Sequence, residues 1–379
     1  MRGRGTLAPM SPATFAEHFE LVDSTRRSFD VKPERDPQVY VDLADDSHLS
    51  RVWTTLGGET PQLLVRGDYG TGKSQLLRHI EYSSAQRRMR PVYVALGGLD
   101  ARYAILTLHT RVMSVLDRVL FECLPKVADM GAWLAAQRLD VDVENAFRRL
   151  RATPRETIAR SWLSGVGPTP TQARNAGFRG KLFEQAGPVE LVRIWKAIAR
   201  LHSDVDHKLL LILIDEAEAF SKIGEAGAAG IGQALRELFD QDNAAMGCVV
   251  GVHLADSRDT SFHPALARSD FQTRIAGRSI QLRPLQSPKR IQMFVTELWR
   301  QLHGSASPTL FSEADLATFG ANFEALETTA LGKQTGPITQ RRVVNLLAHI
   351  GHYGYALGNE PPISMQTISQ ACQVQRASG

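Results

Sequence analysis

Residues 62–74 read QLLVRGDYGTGKS, a short apolar stretch that runs into a glycine-rich loop. The loop fits the pattern GxxxxGK[ST] in full, and the sequence after it predicts a helix over residues 75–83. Glycines let such a loop curl so that its N–H groups point inward at phosphate groups, while the following helix presents its positive end. A strand, this loop and a helix, in that order, predict an α/β fold that binds a nucleotide.

The motif also predicts the role of individual loop residues in binding a nucleotide. Lys73 is expected to reach the outer phosphates, and the Ser74 hydroxyl is expected to bind Mg²⁺. ATP and Mg²⁺ are therefore the expected cofactors. The residues predicted to contact the nucleotide are Gly67, Asp68, Tyr69, Gly70, Thr71, Gly72, Lys73, Ser74 and Gln75. The alternative is a degenerate loop that has lost its nucleotide.

Two acidic residues follow the most apolar stretch of the chain. Residues 208–214 read KLLLILI, and Asp215 and Glu216 come directly after them. Asp215 is expected to hold Mg²⁺ together with Ser74, and Glu216 is expected to orient the water that attacks the γ-phosphate. The alternative is that both acids only favour the N-terminus of the next helix.

Further strands and helices alternate along the chain. Strands are predicted at residues 91–96 (PVYVAL), 247–253 (GCVVGVH) and 279–282 (SIQL), and helical patterns separate them. The continuous apolar run at 208–214 suits the middle of a parallel sheet covered on both faces. The predicted fold class is therefore α/β, a three-layer αβα parallel sheet of the P-loop type with a helical insertion and a C-terminal helical lid.

Three regions are predicted along the 379 residues: an N-terminal extension at 1–40, a sheet domain at 41–285 and a helical lid at 286–379. The sheet domain contains one abnormal connection, because the strands PVYVAL and KLLLILI lie far further apart than an ordinary crossover allows. The stretch between them, at about 100–205, has helical and basic patterns. We interpret it as a helical insertion.

Composition excludes several classes of protein. Hydrophobic residues make up 43% and charged residues 22% of the chain, and the formal net charge is +4. These values are typical of a globular protein that tolerates a polyanionic partner without requiring one. Three scattered cysteines form no CxxC pair, so neither a disulfide framework nor a zinc site is expected. No stretch is apolar for long enough to cross a bilayer, and no signal peptide is evident, so a cytoplasmic protein without membrane contact is expected.

Taken together, these motifs resemble those of AAA+ ATPases, especially the initiator-like and STAND-like branch. Arg274-Ile275, followed by IQLRP at 280–284, reproduces a spacing in that family. The resemblance implies that Arg274 is an arginine finger, which completes the ATP site of a neighbouring subunit in a homo-oligomer. Arg268 and Arg278 are the next candidates. A surface arginine in a basic stretch is the remaining alternative.

Two further positions are compared with the AAA+ pattern. The segment QRRVVNLL at 340–347 resembles the sensor 2 helix, which implies that Arg341 contacts the nucleotide. The alternative is a solvated helix start. The sensor 1 position falls near His253 or Asp256, where Asn, Thr or Ser would be usual in the family. This departure implies slow hydrolysis.

A narrower resemblance runs from about Gln62 to Leu347. VRGDYGTGKSQLLRHI at 65–80 is similar to the phosphate-binding loop of the ATP-binding protein family of bacterial phage-exclusion (BREX) systems. Softer matches are SWLSG at 161–165, ARNAGF at 173–178 and HPALARSDFQTRI at 263–275. The resemblance implies a cytosolic ATPase that works with other defence-system proteins in a DNA-directed process such as phage defence.

The predicted insertion carries a cluster of basic residues that bears on its partners. These are Arg148, Arg149, Arg151, Arg155 and Arg160, with Trp162 nearby and Arg174 and Arg179 further on. The cluster predicts contact with DNA phosphates. The alternatives are a solvated helical face or a face that meets acidic residues of a neighbouring subunit.

Two functions therefore stay open. The first is an ATPase that assembles head to tail and remodels or moves along DNA. The second is a slowly hydrolysing, nucleotide-gated switch or scaffold that docks partner proteins. A metabolic kinase is a distant third, because the lid and finger patterns argue against it.

Overall fold

The structure is a computed structural model that describes residues 14–43, 46–97, 104–182, 187–217, 225–240, 244–253, 275 and 277–377. The chain divides into two compact units. Residues Asp46–Leu282 form one, which we call the sheet unit. Residues Met1–Asp45 and Arg283–Gly379 together form the other, which we call the helical unit. No helix among the described residues is both long enough and apolar enough to cross a membrane.

A parallel sheet forms the centre of the sheet unit, as the sequence predicts. The described residues contribute five strands in the order β2-β3-β4-β1-β5, and every neighbouring pair is parallel. Their bounds are Gln62–Gly67 (β1), Met89–Ala95 (β2), Leu209–Asp215 (β3), Met246–Val252 (β4) and Ser279–Leu282 (β5). Each of the five strands predicted from the sequence is present, which confirms the predicted α/β class.

Helices cover both faces of this sheet. Those of the sheet unit are His48–Leu56 (α2), Lys73–Ser84 (α3), Ala104–Cys123 (α4), Met130–Gln137 (α5), Val141–Ala152 (α6), Thr157–Ser164 (α7), Pro170–Asn175 (α8), Pro188–Asp206 (α9) and Glu225–Leu238 (α10); a short α1, Phe15–His18, precedes them. Leu210, Ile212 and Ile214 of β3 pack in one core with α4 and α9. On the opposite face, Gly251 of β4 lies against Leu77 of α3.

The sequence pattern explains why β3 and β4 are central. Every residue of β4 is buried, and so are six of the seven residues of β3. A strand whose two faces are both covered has no solvent-facing positions, so it reads as a continuous apolar run rather than an alternating one. At β2 the pattern does alternate, with Val92 and Val94 buried and Tyr93 between them half-buried.

The predicted insertion is helical, but it is not a separate body. Helices α4 to α9 share one hydrophobic core with the sheet, in which Leu116, Phe147 and Trp195 join Val92 and Ile212. A buried histidine joins three of these helices. His109 of α4 accepts a hydrogen bond from Trp195 Nε1 (3.0 Å), and its Nε2 lies 2.7 Å from the Leu163 carbonyl oxygen. Burial lowers the pKa of His109 to about 4, so the ring is neutral at pH 7.

The aromatic residues of the SWLSG and ARNAGF segments pack against each other inside the insertion. Trp162 is buried and stacks on Phe178 with 4.6 Å between the ring centroids. Its Nε1 donates a hydrogen bond to the Gly180 carbonyl at 2.7 Å. Helix α7 then ends at Ser164 and is capped by Gly165, whose φ of 76° suits glycine. These residues therefore fix the path of the chain within the insertion.

The helical unit is built from both ends of the chain. Its C-terminal helices are Pro288–His303 (α11), Glu313–Ala321 (α12), Phe323–Leu331 (α13), Gln340–Ala356 (α14) and Met365–Ala377 (α15). Phe15, Phe19 and Phe29 from the N-terminal segment pack in the same core as Trp299 and Ile350. Residues 14–43 therefore pack with the C-terminal helices, in the region where the sequence predicts an N-terminal extension at 1–40.

One position on α14 shows how closely the N-terminal segment is seated. A Cβ atom added at Gly351 would lie 2.5 Å from a ring carbon of Phe29, far inside contact distance. Phe29 also packs edge-on against Trp299, with 5.7 Å between the ring centroids. The small residue on α14 therefore makes room for an aromatic ring from the other end of the chain.

A buried ion pair between α13 and α14 should stabilise the helical unit strongly. Glu327 is 1% exposed and accepts hydrogen bonds from the Arg342 guanidinium. Arg342→Ala would leave that carboxylate buried without its charge partner. We expect the free energy of unfolding of the helical unit to fall by about 3–5 kcal/mol. Urea denaturation, with hydrogen exchange localised to α13 and α14, would measure this loss.

The matched control is Arg300→Ala. Arg300 pairs with Glu297 in the same unit, but its side chain is 54% exposed. Solvent screens such a pair, so the change should leave the free energy of unfolding nearly unchanged. Equal losses from the two variants would contradict the role of the Arg342–Glu327 pair.

Candidate functional site

The glycine-rich loop joins the end of β1 to the start of α3, and its shape requires glycine. Gly70 and Gly72 have φ values of 81° and 89°, which L side chains rarely adopt. At Gly67 an added Cβ would lie 2.5 Å from Thr71 Oγ1 and 3.0 Å from the Leu282 carbonyl oxygen. The three glycines of the motif are therefore explained by backbone conformation and close packing.

Lys73 reaches back across the start of the loop. Its Nζ donates hydrogen bonds to the carbonyl oxygens of Gly67 (2.8 Å) and Asp68 (2.9 Å). The residue is only 8% exposed, so its ammonium group lies largely out of water. A desolvated positive charge beside the N-terminus of α3 makes the loop a favourable place for an anion.

The other predicted contact residues lie around this lysine. Thr71 Oγ1 donates a hydrogen bond to the Asp68 carbonyl at 2.8 Å, which closes the loop. Ser74 and Gln75 lie half-buried in the first turn of α3. Tyr69 is 70% exposed at the outside of the loop. The residues predicted to contact the nucleotide at 67–75 therefore form the loop and the first turn of α3.

Asp215, the last residue of β3, is held in one orientation by two hydrogen bonds. Its Oδ2 accepts from the Tyr93 hydroxyl at 2.6 Å, and its Oδ1 accepts from the Glu216 N–H at 2.8 Å. The residue is 3% exposed. Burial first, and then the neighbouring Asp215 charge, raise the pKa of Tyr93, so its hydroxyl stays protonated and remains a donor.

Strand β4 lies between the glycine-rich loop and Asp215. Because β4 is parallel to both β1 and β3, the loop and the carboxylate follow the same edge of the sheet, two strand spacings or roughly 10 Å apart. At this level β4 carries Gly251, where an added Cβ would lie 3.3 Å from Asp215 Oδ1. Glycine here therefore leaves the Asp215 carboxylate uncrowded on the side of the loop.

Glu216 has an unusual backbone conformation and a specific contact. Its φ is 55°, a left-handed value that costs a non-glycine residue about 1–3 kcal/mol. Its exposed side chain turns toward the end of β2, where Oε2 accepts a hydrogen bond from the Gly97 N–H at 3.0 Å. Arg111 of α4 holds the same segment by donating to the carbonyl oxygens of Ala95 and of Gly97, the latter at 3.1 Å.

His253 directly follows β4, whose last residue, Val252, pairs with Arg66 on β1. Its Nδ1 is buried and has no hydrogen-bond partner in the part of the chain that the structure describes. A buried polar atom without a partner is unusual and needs an explanation. This is one of the two positions at which the sequence suggested sensor 1; the other, Asp256, lies outside the described residues.

Four arginines are candidates for acting on the nucleotide, and the structure describes two of them. Arg274 and Arg268 lie outside the described residues. Arg278 donates a hydrogen bond to Gln62 Oε1 at 2.9 Å, within the sheet unit. Arg341 is an exposed residue of α14 in the helical unit, while its neighbour Arg342 is occupied by Glu327.

The basic cluster of the insertion is largely neutralised by nearby acids. Arg148 pairs with Glu144, Arg149 with Glu156, Arg160 with Asp117, and Arg179 with Asp140 and Asp142. Trp162 is buried, so it offers no ring to a nucleic acid. Acids in α6 and its neighbours therefore balance several of the arginines in the cluster, and its contact with DNA phosphates stays a prediction. Arg155 and Arg174 are exposed.

Sequence reasoning missed the residues that support Asp215 and Glu216. Tyr93 is the one aromatic residue in the strand PVYVAL, and a polar group there was the available signal. Gly251 interrupts an apolar strand, which often marks a close approach of another group. No sequence signal distinguishes Gly97 or Arg111, because their contacts depend on how β2, β3 and α4 meet.

Comparisons with known proteins give structural likenesses at low sequence identity. No family model matches the chain, and no curated protein matches it. The Aeropyrum pernix ORC2 protein in its ADPNP–ADP complexes matches with a TM-score of 0.48 and 14% identity, over 95% of this chain and 73% of that one. The ADP form of the same protein matches with a TM-score of 0.45 and 14% identity, over 93% of this chain and 73% of that one. A Walker-type ATPase of Pyrococcus abyssi matches with a TM-score of 0.44 and 13% identity, over 92% of this chain and 76% of that one.

The Tyr93 hydroxyl should matter for metal-dependent binding in particular. Tyr93→Phe removes the donor that orients Asp215, so a divalent ion held by Asp215 would lose a supporting contact. We expect the Mg²⁺ requirement for ATP binding to rise by about 10-fold, the lower end of what such supporting contacts contribute. A fluorescent ATP analogue, titrated with Mg²⁺ and again in EDTA, measures it.

The control for this variant is Tyr82→Phe, which alters a tyrosine of α3 that is 53% exposed. It should leave both titrations unchanged. An equal loss of binding with and without Mg²⁺ in Tyr93→Phe would show that the hydroxyl supports the fold of the loop rather than the metal site.

Proposed function

We propose that this chain binds ATP with Mg²⁺ at the glycine-rich edge of the sheet and hydrolyses it. One observation carries the proposal: the buried ammonium of Lys73 and the oriented carboxylate of Asp215 lie at the same edge of one parallel sheet. A cation within a loop of backbone N–H groups suits phosphates, and a carboxylate on the far side of the one intervening strand suits the metal ion that accompanies those phosphates.

The residues present fit this pair of ligands. The glycines at 67, 70 and 72 bring backbone rather than side chains to the place where phosphates would lie. Lys73 would exchange its two carbonyl partners for oxygens of the outer phosphates. Ser74 and Asp215 would hold Mg²⁺, which supplies positive charge to the phosphates when bound.

Glu216 is the residue proposed to orient the attacking water. Its carboxylate is exposed, directly follows Asp215 and accepts a hydrogen bond from Gly97. To reach a water beside the γ-phosphate, it would release the Gly97 N–H. Lys73 and the N-terminus of α3 would stabilise negative charge on the phosphates during the reaction.

Two substitutions separate binding from hydrolysis. Lys73→Ala should weaken ATP binding roughly 100-fold, because charge-assisted hydrogen bonds contribute about 1.5–3 kcal/mol each. Glu216→Gln should keep the affinity and slow hydrolysis by on the order of 10²–10⁴-fold, since it removes the group that positions the water. Isothermal titration and a phosphate-release assay provide the two readouts.

Lys333→Ala is the control, because Lys333 is an exposed lysine of the helical unit. It should change neither measurement. Unchanged ATP affinity in Lys73→Ala would refute the proposed binding site. Normal hydrolysis in Glu216→Gln would mean that another residue orients the attacking water.

A second candidate function is a slowly hydrolysing switch, and the contact between Glu216 and Gly97 favours it. A carboxylate held by a backbone N–H, in a left-handed backbone conformation, is not free to orient water. Such a protein would bind ATP and hydrolyse it rarely until a partner releases Glu216. In this form the chain acts as a scaffold whose state is set by nucleotide.

Gly97→Ala tests the switch directly. An added Cβ would overlap Glu216 Oε2, which is the far end of a flexible side chain, so the carboxylate moves rather than the fold. We expect the basal ATPase rate to rise several-fold while ATP affinity stays the same. Phosphate release under saturating ATP is the measurement. A rate that is unchanged or lower would mean that the contact does not hold back hydrolysis.

The finer parts of the proposal rest on the family resemblance. Arg274 would act across a subunit interface in a homo-oligomer, and Arg341 would report the nucleotide state of the site. A cytoplasmic role in a DNA-directed process such as phage defence, with other defence-system proteins as partners, follows from the same resemblance. Exposed Arg155 and Arg174 are the remaining candidates for DNA contact in the insertion. The phosphate-release assay, repeated across protein concentrations with and without duplex DNA, tests the homo-oligomer and the DNA contact.

A further inference from the structure

Three possible metal ligands meet at the edge of the sheet opposite the glycine-rich loop. Cys123 is the last residue of α4, and His202 and Asp206 lie in the last turns of α9, just before β3 begins at Leu209. His202 and Asp206 are four residues apart, so both project from one face of their helix. The proposed function does not use any of them.

The distances between the three ligand atoms are those of a tetrahedral zinc site. Cys123 Sγ lies 3.7 Å from His202 Nδ1 and 3.4 Å from Asp206 Oδ2, and these last two atoms are 3.4 Å apart. Zinc bonds of about 2.3 Å to sulfur, 2.0–2.1 Å to nitrogen and 2.0–2.2 Å to oxygen, at tetrahedral angles, require separations of roughly 3.6 Å (S–N), 3.6 Å (S–O) and 3.4 Å (N–O). The three atoms therefore occupy three corners of such a tetrahedron to within about 0.2 Å.

The surroundings of the cluster suit a bound ion with one exchangeable ligand. Cys123 and His202 are buried, whereas the Asp206 side chain is 25% exposed and gives the cluster a side open to water. Lys126 Nζ lies 3.2 Å from Asp206 Oδ1, the other oxygen of the carboxylate. This contact turns Oδ2 toward the cysteine and the histidine, as outer contacts commonly do around metal ligands.

The donor set indicates which ions would bind. A thiolate and an imidazole favour Zn²⁺ and similar transition metals, whereas Mg²⁺ and Ca²⁺ prefer oxygen ligands alone. We propose that Cys123, His202 and Asp206 bind one Zn²⁺ ion, with water as the fourth ligand, and so fasten α4 to α9 at the base of the insertion. The proposal departs from the expectation of no zinc site, which was drawn from the absence of a CxxC pair, because Cys123 and His202 lie 79 positions apart in the chain.

The competing interpretation is a metal-free network of hydrogen bonds. In it the Cys123 thiol donates to Asp206, and Lys126 neutralises the carboxylate. This network needs no ion and predicts no spectroscopic change on adding one. The two interpretations therefore differ in a direct measurement.

Metal content and cobalt spectroscopy of the full chain test the proposal. Purified protein incubated with Zn²⁺ and passed through a desalting column should retain about one zinc per chain by elemental analysis. Protein loaded instead with Co²⁺ should show a thiolate-to-cobalt charge-transfer band and the d–d absorption of a four-coordinate ion. Wild-type protein that retains no zinc and shows no such band would overturn the proposal.

Variants assign the site. Cys123→Ser should lose the charge-transfer band. Asp206→Asn should lose retained zinc, and the partly exposed position should tolerate the change. Cys372→Ser is the matched control, because it removes another buried free cysteine and should keep both signals. Zinc should raise the melting temperature of wild type and Cys372→Ser, but not of Asp206→Asn. A band that survives in Cys123→Ser, or is lost in Cys372→Ser, would contradict the assignment.

Discussion

The parallel pairing of β4 with both β1 and β3 is the constraint on which the candidate site depends. Because the strands run in one direction, the loop after β1 and the acid that ends β3 follow the same edge of the sheet. Ligands of open α/β sheets commonly bind outside the carboxyl ends of the strands, and here this edge carries Lys73 and Asp215. Gly251 keeps the intervening strand from pressing on the acid.

The strands and the motif residues could be predicted from the sequence because their signals are local. A fully apolar run such as that of β3 has few interpretations, and a glycine-rich loop needs glycine where φ is positive. Tyr93 and Gly97 could not be assigned in this way. Their roles depend on the register between β2 and β3, which sets Ala95 opposite Asp215, and a single sequence does not state that register.

The insertion also contains contacts that a single sequence does not reveal. Its helices were predictable from periodicity, but the meaning of its arginines was not. Arg160 pairs with an acid 43 positions earlier in the chain, and Arg179 pairs with acids 37 and 39 positions earlier. A count of basic residues over a short window therefore overstates the charge that the folded surface presents. Trp162 lies near these arginines in the sequence, but its ring is buried in the core and is not part of a binding surface.

The assembly of the helical unit from both chain ends has a consequence for synthesis. Phe15, Phe19 and Phe29 leave the ribosome early, but their packing partners on α11 and α14 emerge only after the whole sheet unit has been made. At 5–20 residues per second that interval is on the order of tens of seconds. During it, three aromatic rings have no native partner from α11 and α14, so the core of the helical unit forms only after those helices have been made.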